Sequence, residues 1–154
     1  MSVPPGCIHQ VTTVTLKKVI TERGHLMEVQ RCDDPHFPGF GQAYITATKP
    51  GVVRAWYLHR QQTDQIALVA GRLLLVLYDA RADSPTQRMI QEIRMSEEVP
   101  LLVRIPTGVW HGFRAIGEQS ACLLHLNTLP FDFSHPDEKR LAWDDPLIPY
   151  RWPE

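Results

Sequence analysis

The sequence lacks three features that would place it in large classes of protein. No apolar run approaches the roughly 20 residues that a membrane-spanning helix needs, so no membrane partner is expected. Charge of one sign is not in excess, because 16 lysines and arginines oppose 17 aspartates and glutamates, which disfavours bulk binding of nucleic acid. The three cysteines, Cys7, Cys32 and Cys122, form neither a CxxC zinc pair nor a disulfide framework.

What remains is the composition of an ordinary folded protein. Hydrophobic residues make up 44% of the chain and charged residues 21%, which excludes intrinsic disorder. The length of 154 residues suits one domain, which we expect to span residues 1–154. Residues 1–5 lack the basic and then apolar build of a signal peptide, so the expected location is the cytoplasm, where cysteines stay reduced.

Proline and glycine, by contrast, are frequent, with 13 and 9 residues that divide the chain into short segments. No segment of helical length carries a sustained period of 3.6. Short apolar or alternating runs predict strands at 11–19, 42–47, 52–59, 66–69, 72–78, 88–94, 101–105, 112–116 and 121–126. The run 73–77 is wholly apolar, which predicts burial on both faces. Strands at this spacing predict an all-β sandwich or barrel.

Two regions near the C-terminus are expected to depart from the strand pattern. Residues 134–140 contain Ser134 and Asp137, which could cap a short helix. Residues from about 129 to 154 are rich in aromatic residues and proline, which predicts an extended segment packed along the body of the domain.

Two short segments carry the side chains best suited to chemistry. In 105–113 a Pro-x-Gly turn joins two strands and delivers His111 at the start of the second, and a titratable ring beside a rigid turn suits acid–base or ligand work. In 54–59, strand alternation places Tyr57 and His59 on one face and Trp56 and Leu58 on the other. We therefore expect Tyr57 and His59 to point into a shared cavity.

The motifs along the chain resemble those of the dTDP-4-dehydrorhamnose 3,5-epimerase family of the cupin superfamily. Residues 22–28 resemble its D-x-R-G-x-F-x-E motif, and 51–54 resemble the start of G-V-x-R-G-L-H. Residues 71–86 resemble G…V-D-x-R…S-P-T, and 105–113 reproduce I-P-x-G-x-x-H-G-F. The match closes at 143–146, so the motifs agree in order over most of the chain.

This resemblance implies a fold, a reaction and an assembly. It implies a jelly-roll β-barrel in a homodimer, with the N-terminal strand exchanged into the partner's sheet. The implied reaction removes and returns protons beside the C4 ketone of a nucleoside-diphosphate 4-keto-6-deoxyhexose, in deoxysugar or polysaccharide biosynthesis, without metal or organic cofactor. The implied binding residues are Arg23 and Arg54 for the diphosphate, Glu28 and Gln42 for the nucleotide, and Asp79 as a support for His111.

The catalytic pair departs from the family pattern. The family's proton-abstracting histidine falls on Tyr57, and the family's proton-returning tyrosine falls on His125, so acid and base types are exchanged. A tyrosine, with an ordinary pKa of about 10, is a poor base, whereas a histidine, with a reference value near 6.5, can act as base or acid. We therefore predict His125 as the base.

Two other functions fit the same residues. Metal-binding cupins carry H-x-H-x(3,4)-E-x(6)-G and then P-x-G-x-x-H, and this chain offers His59, Asp64 and His111 at comparable positions, with Tyr57 in place of the first histidine. Two imidazoles and a carboxylate could hold a divalent metal. The exchanged pair is also compatible with a cupin that binds a sugar nucleotide without turnover.

Overall fold

The short runs between turns form twelve strands in residues 5–153, the part of the chain that the computed structural model describes. Residues 1–4, on which the signal-peptide argument partly rests, and residue 154 lie outside that part. The strands are β1 (Thr12–Thr15), β2 (Lys18–Thr21), β3 (Gly24–Met27), β4 (Gln42–Thr48), β5 (Val53–His59), β6 (Asp64–Ala70), β7 (Arg72–Asp79), β8 (Ile90–Ser96), β9 (Leu101–Ile105), β10 (Val109–Ala115), β11 (Ala121–Asn127) and β12 (Glu138–Arg140).

The strands form two antiparallel five-stranded sheets and a separate hairpin. The first sheet has the order β1-β9-β6-β11-β4, the second has the order β12-β5-β10-β7-β8, and β2 pairs with β3. The described residues contain no helix, and the all-β prediction is confirmed. No helix of residues 5–153 has the length and apolar character needed to cross a membrane.

The hydrophobic core lies between the two sheets. Leu68 and Leu123 of the first sheet pack with Leu75 and Phe113 of the second, all of them buried. Residues Leu73 to Leu77 are 0% exposed, which confirms burial on both faces of β7. Apolar side chains therefore fill one end of the space between the sheets.

The C-terminal segment covers the outer face of the second sheet. The Trp56 side chain on that face packs against Trp152, with ring centroids 5.1 Å apart, and Ile148 is buried in the same cluster. The predicted helix at 134–140 is wrong, because Glu138–Arg140 form β12 instead. In β12 Glu138 pairs with His59 and Arg140 pairs with Tyr57, so the unpaired edge of β5 gains a neighbour.

Candidate active site

Polar side chains replace apolar ones at the other end of the space between the sheets. Along β11 the inward positions change from Leu123 to His125 and Asn127, and β6 begins at Asp64. The polar residues of this group line a cavity of about 300 Å³. Its walls come from both sheets and from the segment after β11, with the lining residues Gln42, Tyr44, Thr46, Arg54, Tyr57, His59, Gln62, Asp64, His111, Phe113, His125, Asn127, Phe131, Glu138 and Arg140.

Two glycines allow the backbone conformation and the close strand contact that shape this cavity. Gly108 adopts a φ of +79° in the turn before β10, and its N–H donates to the carbonyl of His59 at 2.9 Å. Gly112 of β10 lies against Ala55 of β5, and a Cβ there would overlap the Ala55 side chain. The turn and the close approach together place His111 opposite Tyr57 in the strand register.

Asp64 lies at the centre of the polar cluster and is buried. Its Oδ2 lies 3.2 Å from Nε2 of His111, which belongs to the opposite sheet. Burial alone would raise the pKa of Asp64, but the His111 hydrogen bond and the nearby His125 ring outweigh burial and hold that pKa below its ordinary value. Asp64 is therefore a carboxylate that faces one histidine of each sheet and is hydrogen-bonded to His111.

His111 has an acceptor at each ring nitrogen. Its Nδ1 lies 3.3 Å from the carbonyl oxygen of Val109, and its Nε2 faces the Asp64 carboxylate. Both contacts are satisfied at once only when each nitrogen carries a proton. The geometry therefore suits a ring that donates from both nitrogens, to Val109 and to Asp64.

His125 approaches the same carboxylate from the first sheet. Its Nδ1 lies 3.7 Å from Oδ1 of Asp64, and neither of these buried atoms has a hydrogen-bond partner within the described residues. Its Nε2 lies 3.0 Å from the Thr46 hydroxyl, and its ring stacks on Tyr44 at a centroid distance of 4.5 Å. Burial and the charge of Asp64 raise the pKa of Tyr44, so its hydroxyl stays protonated.

His59 occupies the opposite wall beside Tyr57. Its Nδ1 lies 3.2 Å from the main-chain carbonyl of Asp137 and 3.0 Å from the side-chain amide of Gln62. Burial and the nearby His111 lower its pKa, which favours the neutral ring. Ligand atoms of His59, Asp64 and His111 all lie within 4.8 Å of one another, so the residues of the alternative, metal-binding function do converge.

The comparisons with known proteins agree with this architecture. The family profile described as dTDP-4-dehydrorhamnose 3,5-epimerase matches residues 6–154. The chain belongs to this family. It is 37% identical over 145 residues to the spore coat polysaccharide biosynthesis protein SpsL of Bacillus subtilis, covering 94% of this chain and 96% of that protein. It is 40% identical over 147 residues to Agl13 of Haloferax volcanii, a probable low-salt glycan biosynthesis epimerase, covering 94% of each.

A solved structure agrees at the level of the whole fold. The dTDP sugar isomerase of Desulfovibrio desulfuricans superimposes with a TM-score of 0.90 at 30% identity, covering 94% of this chain and 92% of that one. The barrel is thus the jelly-roll cupin fold that the sequence motifs implied. The chain is a sugar-nucleotide epimerase of the isomerase class, as its family membership establishes.

The structure brings most of the residues predicted for the epimerase site into one place. Tyr57, His59, His111 and His125 all line the cavity, together with Gln42 and Arg54. Gln42 also accepts a hydrogen bond from the Phe131 N–H at 2.6 Å, which fastens the segment after β11 to the cavity rim.

Two predicted nucleotide-binding residues lie away from the cavity of their own chain. Arg23 is exposed at the turn between β2 and β3, and Glu28 is exposed just beyond β3. The Glu28 carboxylate lies 3.5 Å from Arg31 on the surface. Neither residue therefore contributes to the cavity of its own chain.

The prediction that Asp79 supports His111 is wrong. Asp79 is 0% exposed, and its oxygens accept from Arg81, Ser84 and Thr86 at 2.6 to 2.9 Å. Burial by itself would raise its pKa, but these hydrogen bonds lower the pKa to about 2. Asp79 therefore stabilises the loop that follows β7. The carboxylate that contacts His111 is that of Asp64.

Three parts of the site were not predicted from the sequence. Asp64 was expected only as a metal ligand, although it bridges the two histidines of the epimerase cavity. Asn127 brings to the cavity wall a buried Oδ1 that has no hydrogen-bond partner among residues 5–153. Arg140 lies over Tyr57 at 5.7 Å, a contact that only the pairing of β12 with β5 creates. Strand alternation from His125 would have pointed to Asn127.

Proposed function

We propose that this epimerase moves protons on both faces of a nucleoside-diphosphate 4-keto-6-deoxyhexose, beside its C4 ketone, without metal or organic cofactor. One observation carries the proposal: His125 and Tyr57 enter one cavity from opposite sheets. Inversion at a carbon requires that a proton leave one face and return to the other. Two titratable groups on facing walls meet that requirement.

His125 is the base in this proposal. Its Nδ1 is buried and faces the Oδ1 of Asp64 at 3.7 Å, so Nε2, which faces the Thr46 hydroxyl on the cavity wall, is the nitrogen that takes the proton from the sugar. The carboxylate then stabilises the imidazolium that forms. Asp64 therefore stabilises His125 more after proton abstraction, when the ring is charged, than before it.

His111 stabilises the intermediate. Removing a proton next to the ketone places negative charge on the C4 oxygen, and this enolate needs a cation or hydrogen-bond donor nearby. An imidazolium at His111, held by Val109 and Asp64, provides a fixed positive charge inside the cavity. Asp64 thus supports the base on one wall and the cation on the other.

Proton return takes place from the wall of β5. Tyrosine hydroxyls are protonated at neutral pH, so Tyr57 suits the role of acid, while a neutral His59 can accept a hydrogen bond or a proton from the sugar. Arg140, which is ion-paired with Glu138, lies over the Tyr57 ring on this wall. Acid and base are therefore exchanged relative to the family motif, as the sequence predicts.

The nucleotide end of the ligand lies toward the cavity mouth in this proposal. Arg54 and Arg140 are the guanidinium groups at the cavity, and each can pair with diphosphate oxygens. The dTDP sugar isomerase at 30% identity supports a dTDP sugar as the first ligand to test. Calorimetric titration with dTDP, UDP, CDP and GDP identifies the preferred nucleobase of the ligand. No binding of any of these nucleotides at millimolar concentration would contradict this site.

The homodimer and the cytoplasmic location are part of the same proposal. The β2–β3 hairpin exposes Val19, Ile20 and Leu26, and it carries Arg23 at its turn. The sequence analysis expected exchange of the N-terminal strand, but β1 pairs with β9 of its own chain, so the proposal moves the exchange to this hairpin. Exchange of the hairpin with a second chain would bury these apolar residues and bring Arg23 toward the partner. Light scattering that shows a monomer at micromolar concentration would remove the dimer from the proposal.

Deuterium exchange tests the chemistry directly. A 4-keto sugar nucleotide incubated with the protein in D₂O should gain deuterium at C3 or C5. His125→Ala and His111→Ala should slow this exchange by roughly 10²–10⁴, the range of a general acid or base. His135→Ala is the matched control because the His135 side chain is exposed. Exchange that survives His125→Ala would reject His125 as the base, and tight binding without exchange would support the non-catalytic alternative.

A metal-dependent reaction is the second candidate, favoured by the convergence of His59, Asp64 and His111. These side chains could hold a divalent ion that acts as a Lewis acid on the ketone. Elemental analysis of the purified protein distinguishes the two mechanisms. A stoichiometric transition metal that is lost in His59→Ala would replace the metal-free proposal.

A further inference from the structure

One carboxylate outside the catalytic cluster binds the end of β5. The side chain of Asp137 accepts hydrogen bonds from three consecutive main-chain amides, those of residues 60–62. Its Oδ1 lies 3.0 Å from the N–H of Arg60 and 3.1 Å from that of Gln61, and its Oδ2 lies 2.9 Å from Gln61 and 3.0 Å from Gln62. The amides that follow β5 therefore converge on a single side chain.

The main chain of the same residue contacts a side chain of the cavity. The carbonyl of Asp137 lies 3.2 Å from Nδ1 of His59, and this oxygen can only accept. The Gln62 amide also contacts that nitrogen, but it can present either its oxygen or its nitrogen. The carbonyl therefore decides the protonation of the ring, with the proton on Nδ1 and the lone pair on Nε2.

Asp137 also precedes the strand that closes the second sheet. Glu138 and Arg140 of β12 line the cavity, and both pair with β5 in the register. Loss of the Asp137 side chain would release the start of β12 and the end of β5 together. The position of His59 and the position of this wall thus depend on the same four hydrogen bonds.

We propose that Asp137 is a positioning residue that holds His59 as the Nδ1–H tautomer, with Nε2 free to accept a proton or a hydroxyl from the sugar. This inference rests on the proposed function of His59, but the tautomer itself can be measured without turnover. Asp137 touches no reacting atom in this proposal, and it acts through the His59 ring.

The test compares Asp137→Asn with Asp137→Glu and with the control Asp132→Asn. Asp132 belongs to the same segment and accepts from the main-chain N–H groups of Ser134 and His135, away from the cavity. Nitrogen-15 NMR of the imidazole rings, assigned with His59→Gln, should show the Nδ1–H form in the unmodified protein and in Asp132→Asn. Asp137→Asn should give a mixture of tautomers, and Asp137→Glu should recover part of the original form.

The rate should change in parallel with the tautomer. Asp137→Asn should lower kcat about 10-fold or more, and Asp137→Glu should lower it less, because a ring with its proton on Nε2 cannot accept a proton there. An unchanged tautomer, or a normal kcat in folded Asp137→Asn, would overturn the positioning role. If the unmodified protein lacks epimerase activity, the NMR result still decides the tautomer, while the proposed function fails separately.

Discussion

Replacement of Asp64 should reveal how much of the structure depends on the buried carboxylate. Asp64→Ala leaves His111 without its 3.2 Å partner and His125 facing an empty position. Removing one member of a buried charged pair costs about 3–5 kcal/mol of unfolding free energy. For a chain of this size that loss corresponds to a Tm lower by roughly 6–20 °C. Asp64→Asn keeps the side-chain volume and should cost less, about 1–3 kcal/mol.

The pH dependence of the same variants gives a second measure. Because the folded-state pKa of Asp64 lies below its unfolded value, the carboxylate stabilises the fold fully above about pH 4, and this stabilisation is lost as pH falls below that value. Urea unfolding of the unmodified protein and Asp64→Asn should therefore show a gap at pH 7 that narrows below about pH 4. The exposed Asp83→Ala should stay within about 0.5 kcal/mol at every pH. No gap at pH 7, or a gap that widens in acid, would refute the charged, paired state of Asp64.

Two more substitutions test individual contacts. Gly112→Ala should lower the unfolding free energy by about 1–3 kcal/mol, because the new methyl group overlaps the Ala55 side chain. An unchanged Tm would show that β10 and β5 can move apart to accommodate it. Asn127→Leu removes the buried Oδ1 that lacks a partner among the described residues and lines the cavity. If that oxygen binds the sugar nucleotide, KM should rise while the unfolding free energy stays the same or increases. An unchanged KM would exclude Asn127 from ligand binding.

Much of the barrel could be predicted from local patterns. Proline and glycine spacing excluded long helices, and the wholly apolar run in β7 indicated burial on both faces, as observed. Alternation in β5 placed Tyr57 and His59 together, with Trp56 on the outer face. These predictions succeeded because side-chain direction along a strand depends only on the period of two.

The strand at 138–140 and the position of Asp64 were decided by contacts between segments that lie far apart in the sequence. Residues 134–140 contain helix-capping side chains, but β5 offered an unpaired edge, and Glu138–Arg140 satisfied it as a strand. Asp79 and Asp64 each begin or end a strand, and nothing local shows which one reaches His111. Only the packing of one sheet on the other placed Asp64 between His111 and His125, because strand register and sheet separation are properties of the folded chain rather than of any segment.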